Sequence, residues 1–293
     1  FTALGDSRTP LYFLIASSLA NIVMDVVFVV CFHMGVGGVA WATFLCQGVA
    51  SVLAAWTLFR RLRGVPAPER HPLFSWRMLG RIARIAVPSI LQQSFISVGN
   101  LFIQSLVNSF GSAVVAGYSA AVKLNTFALT GFTTLGNGLS SFTAQNIGAG
   151  RPERVKQGFR AGAGMTLCVA VPFIAAFVFA GPQMVRLFLS APSADALAQG
   201  TLFLNIVAPF YVLISLKLAA DGVLRGAGDM GAFTAANLVN LTLRVVLAAV
   251  LAPRLGIRMV WYAVPVGWAA NYLISFLRYR TGRWRERGAG LLA

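Results

Sequence analysis

The chain has 293 residues, of which 57% are hydrophobic and only 11% charged, with a mean hydropathy of +0.74. A soluble protein of this length needs about a quarter of its residues charged to coat its surface, so lipid must be the main solvent here. The net charge of +16 does not mark a nucleic-acid binder, because most Lys and Arg fall in alternate segments between apolar runs, the positive-inside pattern of a polytopic membrane protein.

In chain order, Phe1–Thr9 reads as a loop with Gly5-Asp6 as its turn and Pro10 as a good first helical residue. The chain starts in a loop that already leads into a membrane helix, so it is expected to be truncated at its N-terminus. The first crossing, about Pro10–His33, is apolar except for Ser17, Ser18, Asn21 and Asp25. The second, about Val36–Phe59, is apolar except for Thr43, Gln47 and Ser51. A short turn over Met34–Gly38 makes them antiparallel neighbours, so the two polar stripes can face each other. An ionisable side chain at membrane depth marks an ion or substrate path by default. The other reading of Asp25 is a carboxyl satisfied by nearby hydroxyls and amides that only locks the two helices together.

Residues 61–75, rich in Arg and Pro, read as the one clear linker, separating residues 1–60 from six further crossings over 76–281 and a basic tail over 282–293. The third crossing, about Trp76–Phe110, carries a polar stripe of Gln93, Ser97, Asn100, Gln104 and Asn108. The fourth, about Ser112–Ile147, is too polar for a lipid-facing helix, with Ser119, Lys123, Thr126, Thr130, Asn137 and Ser141 at helical spacing, so it must be buried in protein or line water. The fifth, about Glu153–Phe179, is expected to break near Pro172, and the sixth, about Ser193–Leu224, contains Pro209. The seventh and eighth run about Met230–Leu251 and Met259–Tyr279. Lys217, Asp221 and Arg225 recur every four residues on the sixth, and Arg244 sits on the seventh. These charges read as a neutralising cluster or as an element that changes partners between conformations. Pro88 and Pro265 are further bend candidates, and Trp76, Trp261, Tyr262 and Trp284 read as interface anchors. Cys31, Cys46 and Cys168 lie in apolar runs, and the only histidines are His33 and His71. No metal or nucleophile constellation can be assembled from these, so an enzyme is not expected.

The turn Leu4-Gly5-Asp6 recurs as Ala227-Gly228-Asp229, and Asn21-x3-Asp25 is loosely echoed by Asn240-x3-Arg244. The two segments look like corresponding members of two halves related by a parallel repeat. Four further motifs carry a specific resemblance: Gly5-Asp6-Ser7-Arg8-Thr9-Pro10, the run 35–43 (GVGGVAWAT), the run 144–151 (AQNIGAGR) and the run 222–229 (GVLRGAGD). Through them the chain resembles the multidrug and toxic compound extrusion (MATE) family, in its DinF-like branch. The resemblance implies an all-α integral membrane protein of two six-helix lobes. This chain then holds helices five and six of the first lobe and the whole second lobe, eight crossings in all, with the first four helices missing.

The resemblance further implies an antiporter that exports cationic or amphipathic compounds against inward H⁺ or Na⁺ by alternating access. Asn21, Asp25 and Thr43 match the positions of the family's first-lobe cation site. A second-lobe acid of the type found in other branches is not expected, since Ile214 stands where it aligns. Gln93, Asn100, Gln104, Lys123, Lys217, Asp221 and Arg244 are the candidates for a substrate cleft. Asp25 could carry a proton, or with Asn21 and Thr43 supply hard oxygens for Na⁺. No cofactor is expected beyond that coupling ion, and the partners are membrane lipid, a small-molecule substrate and H⁺ or Na⁺. A monomer in the plasma membrane with both ends of the chain cytoplasmic completes the expectation. The rival readings are a lipid-linked saccharide flippase of the same superfamily and a fragment that does not transport.

Overall fold

Apolar runs in lipid can satisfy their backbone groups within one segment only as helices. The computed structural model describes residues 1–64, 74–189 and 193–285, which are helical with no strand. The chain divides into two units, Phe1–Ser75 and Trp76–Ala293. Most of the linker (65–73) and of the basic tail (286–293) lies outside the described residues.

The first unit is a hairpin of α1 (Arg8–Val26), continued by a π-helical turn over Val27–Cys31, and α2 (Gly35–Arg63). The reversal falls at Phe32–Met34, earlier than expected, with His33 in the left-handed region at φ 52°. The segment expected to turn instead begins α2, and its small residues Gly38 and Ala42 are the two buried positions of that helix. A Cβ at Gly38 would stand 3.0 Å from the Phe28 Cβ, so the absent side chain sets how closely the two helices approach there.

At the other end of the hairpin, Asp6 accepts hydrogen bonds from the backbone N–H groups of Arg8 and Thr9, each at 3.1 Å, and pairs with Arg61 of α2. The Thr9 hydrogen bonds, aided by Arg61, hold its carboxyl down at about 2. A carboxyl lowered from about 3.9 in the unfolded chain stabilises fully above that value and loses its effect as pH falls to the folded value. Melting of the hairpin, followed by Trp fluorescence, should therefore be insensitive to this group above about pH 4 and weaken between pH 4 and 2. Asp6→Ala should remove that acid limb.

The second unit contains α3 (Trp76–Asn108), α4 (Ser112–Gly148), α5 (Pro152–Leu187), α6 (Ala194–Val207), α7 (Tyr211–Gly226), α8 (Met230–Leu255) and α9 (Arg258–Thr281). Seven spans among the described residues are long and apolar enough to cross a membrane, with α6 and α7 counted together as one. The eighth expected crossing is α4, the longest helix, whose polar residues keep it below that threshold. Packing explains how it holds: α4 touches α5, α6 and α7, and one of its faces is buried through Gly117, Ala121, Leu124, Ala128 and Phe132. Its polar residues Ser119, Lys123, Thr126, Thr130 and Asn137 lie on the exposed face.

Proline acts unevenly. The expected break at Pro172 is absent, because α5 runs unbroken through it to Leu187, and α3 and α9 likewise continue through Pro88 and Pro265. Among the described prolines only Pro209 changes the helix type, turning Ala208–Phe210 into a 3₁₀ segment between α6 and α7. Two of the four expected interface anchors are core residues. Trp261 is fully buried and stacks on Tyr118 at 4.8 Å, and Trp284 is 1% exposed and donates its indole N–H to the Tyr279 carbonyl at 3.0 Å. Trp76 and Tyr262 are exposed.

Candidate functional site

In the first unit, α1 and α2 bring Asn21 and Thr43 together, the amide Nδ2 donating to the Thr43 Oγ1 at 3.4 Å. Asp25 stands one turn further on, directly before the π turn, on the same face of α1 as Asn21. Its Oδ1 is buried and has no hydrogen-bond partner. The locking role weighed from sequence requires donors on that oxygen, and none of the described residues supplies one. With Asn21 donating through its nitrogen, its carbonyl oxygen stays open as an acceptor. Asn21 also lines a cleft of about 330 Å³ with Ser17, Ser18, Gln47 and Ser51. Among the described residues no three His, Cys, Asp or Glu gather in a way that could hold a metal ion. A cation at Asp25 would thus meet one carboxylate and neutral oxygens, a set suited to a proton or a hard monovalent ion.

The cleft candidates of the second unit fall into two groups. Gln93, Asn100 and Lys123 are exposed and Gln104 is half-buried, donating to the Asn108 Oδ1 at 2.9 Å. With Thr126 and Thr130 they give α3 and α4 polar outer faces at membrane depth. Lys217 and Asp221 are interior, 7% and 4% exposed, and their charged atoms stand 3.0 Å apart. Lys217 also donates to the Asn237 Oδ1 of α8 at 3.2 Å, and the Ser275 hydroxyl of α9 donates to the Asp221 Oδ1 at 2.6 Å. Arg225 does not join this pair directly but hydrogen bonds to Asn137 and Ser140 of α4. Arg244 is half-buried, with Nε shut from solvent and without a hydrogen-bond partner, and its guanidinium interacts electrostatically with the Tyr118 hydroxyl.

Asn237, Asn271 and Ser275 were not singled out from sequence. They sit on other helices, Asn237 on α8 and Asn271 and Ser275 on α9, and only tertiary packing brings them to the Lys217–Asp221 pair. Asn271 was discoverable in principle as a lone polar residue in an apolar run.

The repeated Gly-Asp turn is mirrored in its contacts. Gly5 and Gly228 both adopt the left-handed conformation, at φ 78° and 71°. Asp229 pairs at 2.6 Å with Arg278, at the end of the second helix after it, as Asp6 pairs with Arg61. The second pair is more enclosed, with Asp229 5% exposed and Arg278 23%, against 17% and 47% in the first. Desolvation strengthens a matched pair and penalises its breaking. A double-mutant cycle on thermal stability should therefore return a larger coupling for Asp229–Arg278 than for Asp6–Arg61.

Gly222 is a buried residue of α7 and Gly226 is its last. A Cβ at Gly226 would stand 2.2 Å from the Ser140 carbonyl oxygen, and one at Gly222 2.6 Å from that of Gly136. Their four-residue spacing is the small-xxx-small contact of packed membrane helices.

The chain is 32% identical over 284 residues to the probable multidrug resistance protein YpnP of Bacillus subtilis, an overlap covering 97% of this chain and 63% of that protein. It is 25% identical over 296 residues to the DNA damage-inducible protein F of Escherichia coli, covering 95% and 61%. Its fold matches the Vibrio cholerae MATE transporter VcmN in the bent form, with a TM-score of 0.84 at 20% identity, covering 98% of this chain and 64% of that one. The chain thus spans less than two thirds of the length of these proteins. Its relatives and structural neighbours are membrane transporters and not enzymes. The MatE family signature matches residues 88–250, more than half of the sequence, and the chain belongs to that family.

Proposed function

We propose that the protein is a cation-coupled antiporter of the plasma membrane that exports cationic or amphipathic compounds by alternating access, with H⁺ or Na⁺ bound at Asp25 as the driving ion. The observation that carries this reading is the buried, unpartnered Oδ1 of Asp25 beside the Asn21–Thr43 contact. A carboxylate oxygen left without a donor at membrane depth is costly unless an ion occupies it. The bound ion would favour one conformation by its differential affinity, as coupling requires. The polar outer faces of α3 and α4, through Gln93, Asn100, Gln104 and Lys123, supply hydrogen-bonding groups for a substrate path. The positive-inside pattern supports cytoplasmic placement of both ends of the chain, and a monomer suffices for this mechanism.

The flippase reading draws less support, because Asp221 pairs with Lys217, so that of Lys123, Lys217 and Arg244, the three cations weighed for a cationic cleft, two lack a carboxylate partner among the described residues. The test is ethidium efflux from vesicles containing the intact protein, with proton and sodium gradients imposed separately. Efflux driven by one gradient is the expected result, and efflux driven by neither overturns the antiport reading.

A further inference from the structure

The Lys217–Asp221 pair lies inside the membrane-spanning bundle of the second unit, held by three helices. Asp221, Asn237 and Ser275 stand between one and two turns in from the basic ends of α7 and α9, and Lys217 and Asn271 somewhat deeper, roughly 7–15 Å in all. The charged groups around Asp221 are Lys217 and, one turn on, Arg225 of its own helix. From the other elements it meets neutral groups. These are Ser275 and, behind it, Asn271 on α9, Asn237 through Lys217 on α8, and Asn137 and Ser140 through Arg225 on α4.

A pair kept only for packing is weakly justified here, since a buried ion pair is often no more stabilising than apolar residues of the same volume. Its hydrogen bonding is also incomplete. The Asp221 Oδ2 faces the ammonium at 3.0 Å without a well-directed hydrogen bond, and the fully buried Asn271 Nδ2 has no partner. The Ser275 hydroxyl has one proton, which its 2.6 Å contact directs to Asp221 in preference to Asn271 at 3.2 Å. The cluster therefore has spare hydrogen-bonding capacity on both sides of the carboxylate.

We propose that Asp221 is a second proton-binding site of the transport cycle, located within the second unit and governed by Lys217. The inference rests on the antiport reading above. A proton from water adds to the Asp221 carboxylate, giving the acid, and Lys217 keeps its own proton. The cluster passes from zero net charge to one positive charge. A neutral pair tolerates a dry interior, whereas an unmatched ammonium there requires water or new partners. Proton loading at Asp221 thus favours a conformation in which Lys217 is hydrated, which is the differential free energy that coupling needs. The sense is opposite to that at Asp25, where a proton removes a charge.

The experiment counts protons. Ethidium is added to the purified intact protein in weakly buffered detergent containing a pH indicator, and the protons released per ethidium bound are measured. The Lys217→Met/Asp221→Leu variant keeps the cluster neutral and close in volume, so it should fold, and it should release one proton fewer than the unaltered protein. Asp25→Asn should also release one fewer and retain the rest. If the paired variant does not give a folded protein, Lys217→Gln/Asp221→Asn, which keeps the hydrogen bonds and the zero charge, is read in the same way. Unchanged proton release in the folded paired variant, or none at all in Asp25→Asn, overturns the proposal. Absence of proton release from the unaltered protein removes proton antiport itself, and this site with it.

Discussion

Replacing Asp25 with Asn is expected to cut gradient-driven efflux sharply while leaving the thermal stability of the protein almost unchanged. The two halves of that expectation come from the same oxygen. The Oδ1 of Asp25 has no hydrogen-bond partner, so the isosteric amide breaks no hydrogen bond made by that atom. What it removes is the only acidic charge within α1 and α2. Coupling free energies of 1–3 kcal/mol correspond to about 5- to 150-fold in affinity, and the loss of driven efflux should fall in that range. Parallel measurements of ethidium efflux and of melting separate the two effects. Efflux that persists under both proton and sodium gradients would take Asp25 out of the mechanism, whereas a large drop in melting temperature would return it to the locking role. Asn21→Ala, which breaks the long 3.4 Å contact to Thr43, should weaken efflux less.

Gly226→Val should strongly disrupt folding of the second unit. The obstacle to a Cβ there is a backbone oxygen, that of Ser140 at 2.2 Å, with the Thr143 Cβ at 2.8 Å behind it. A rotamer change relieves neither contact, so α4 and α7 must separate, and the buried stripe from Gly136 to Thr143 loses its packing. Overpacking a core costs about 1–3 kcal/mol and occasionally more, and a β-branched residue against backbone belongs at the upper end. The readout is the yield of monodisperse protein and its melting temperature. Gly231→Ala serves as the control, since a Cβ there meets nothing within 4 Å. Equal behaviour of the two variants would mean that α4 and α7 do not pack as described.

The helices were legible because hydrocarbon leaves the backbone few alternatives, and long apolar runs separated by charge place most of them to within a few residues, the end of α5 being eight residues later than expected. Proline was misleading for a physical reason. Pro172 lacks an N–H, yet α5 continues through it, so composition alone could not tell it from Pro209, where the helix does change type. The polar spacing on α4 was legible as a face, but not which side of the helix was buried, because small residues such as Gly117 and Ala121 carry no periodic signal as strong as the threonines. Asn21, Asp25 and Thr43 could be proposed from spacing and resemblance, and Lys217 with Asp221 from their four-residue separation. The members of that second cluster on α9, and the arginines that meet Asp6 and Asp229, depend on contacts between residues some fifty positions apart. Trp261 and Trp284 were misread because an aromatic near a helix end looks the same in sequence whether it faces headgroups or a neighbouring helix.

The pairs at Asp6 and Asp229 have a mechanical consequence. Each hairpin, α1 with α2 and α8 with α9, is joined by the chain at one end and tied by an acid–base contact at the other. A rod fastened at both ends resists splaying, so any flexing during a transport cycle is directed to places where the winding of a helix already departs from regular. Among the described residues two such joints lie within the spans, the loosened coil just past Asp25 and the tightened one at Pro209, and the first of them adjoins the side chain proposed above to bind the driving ion.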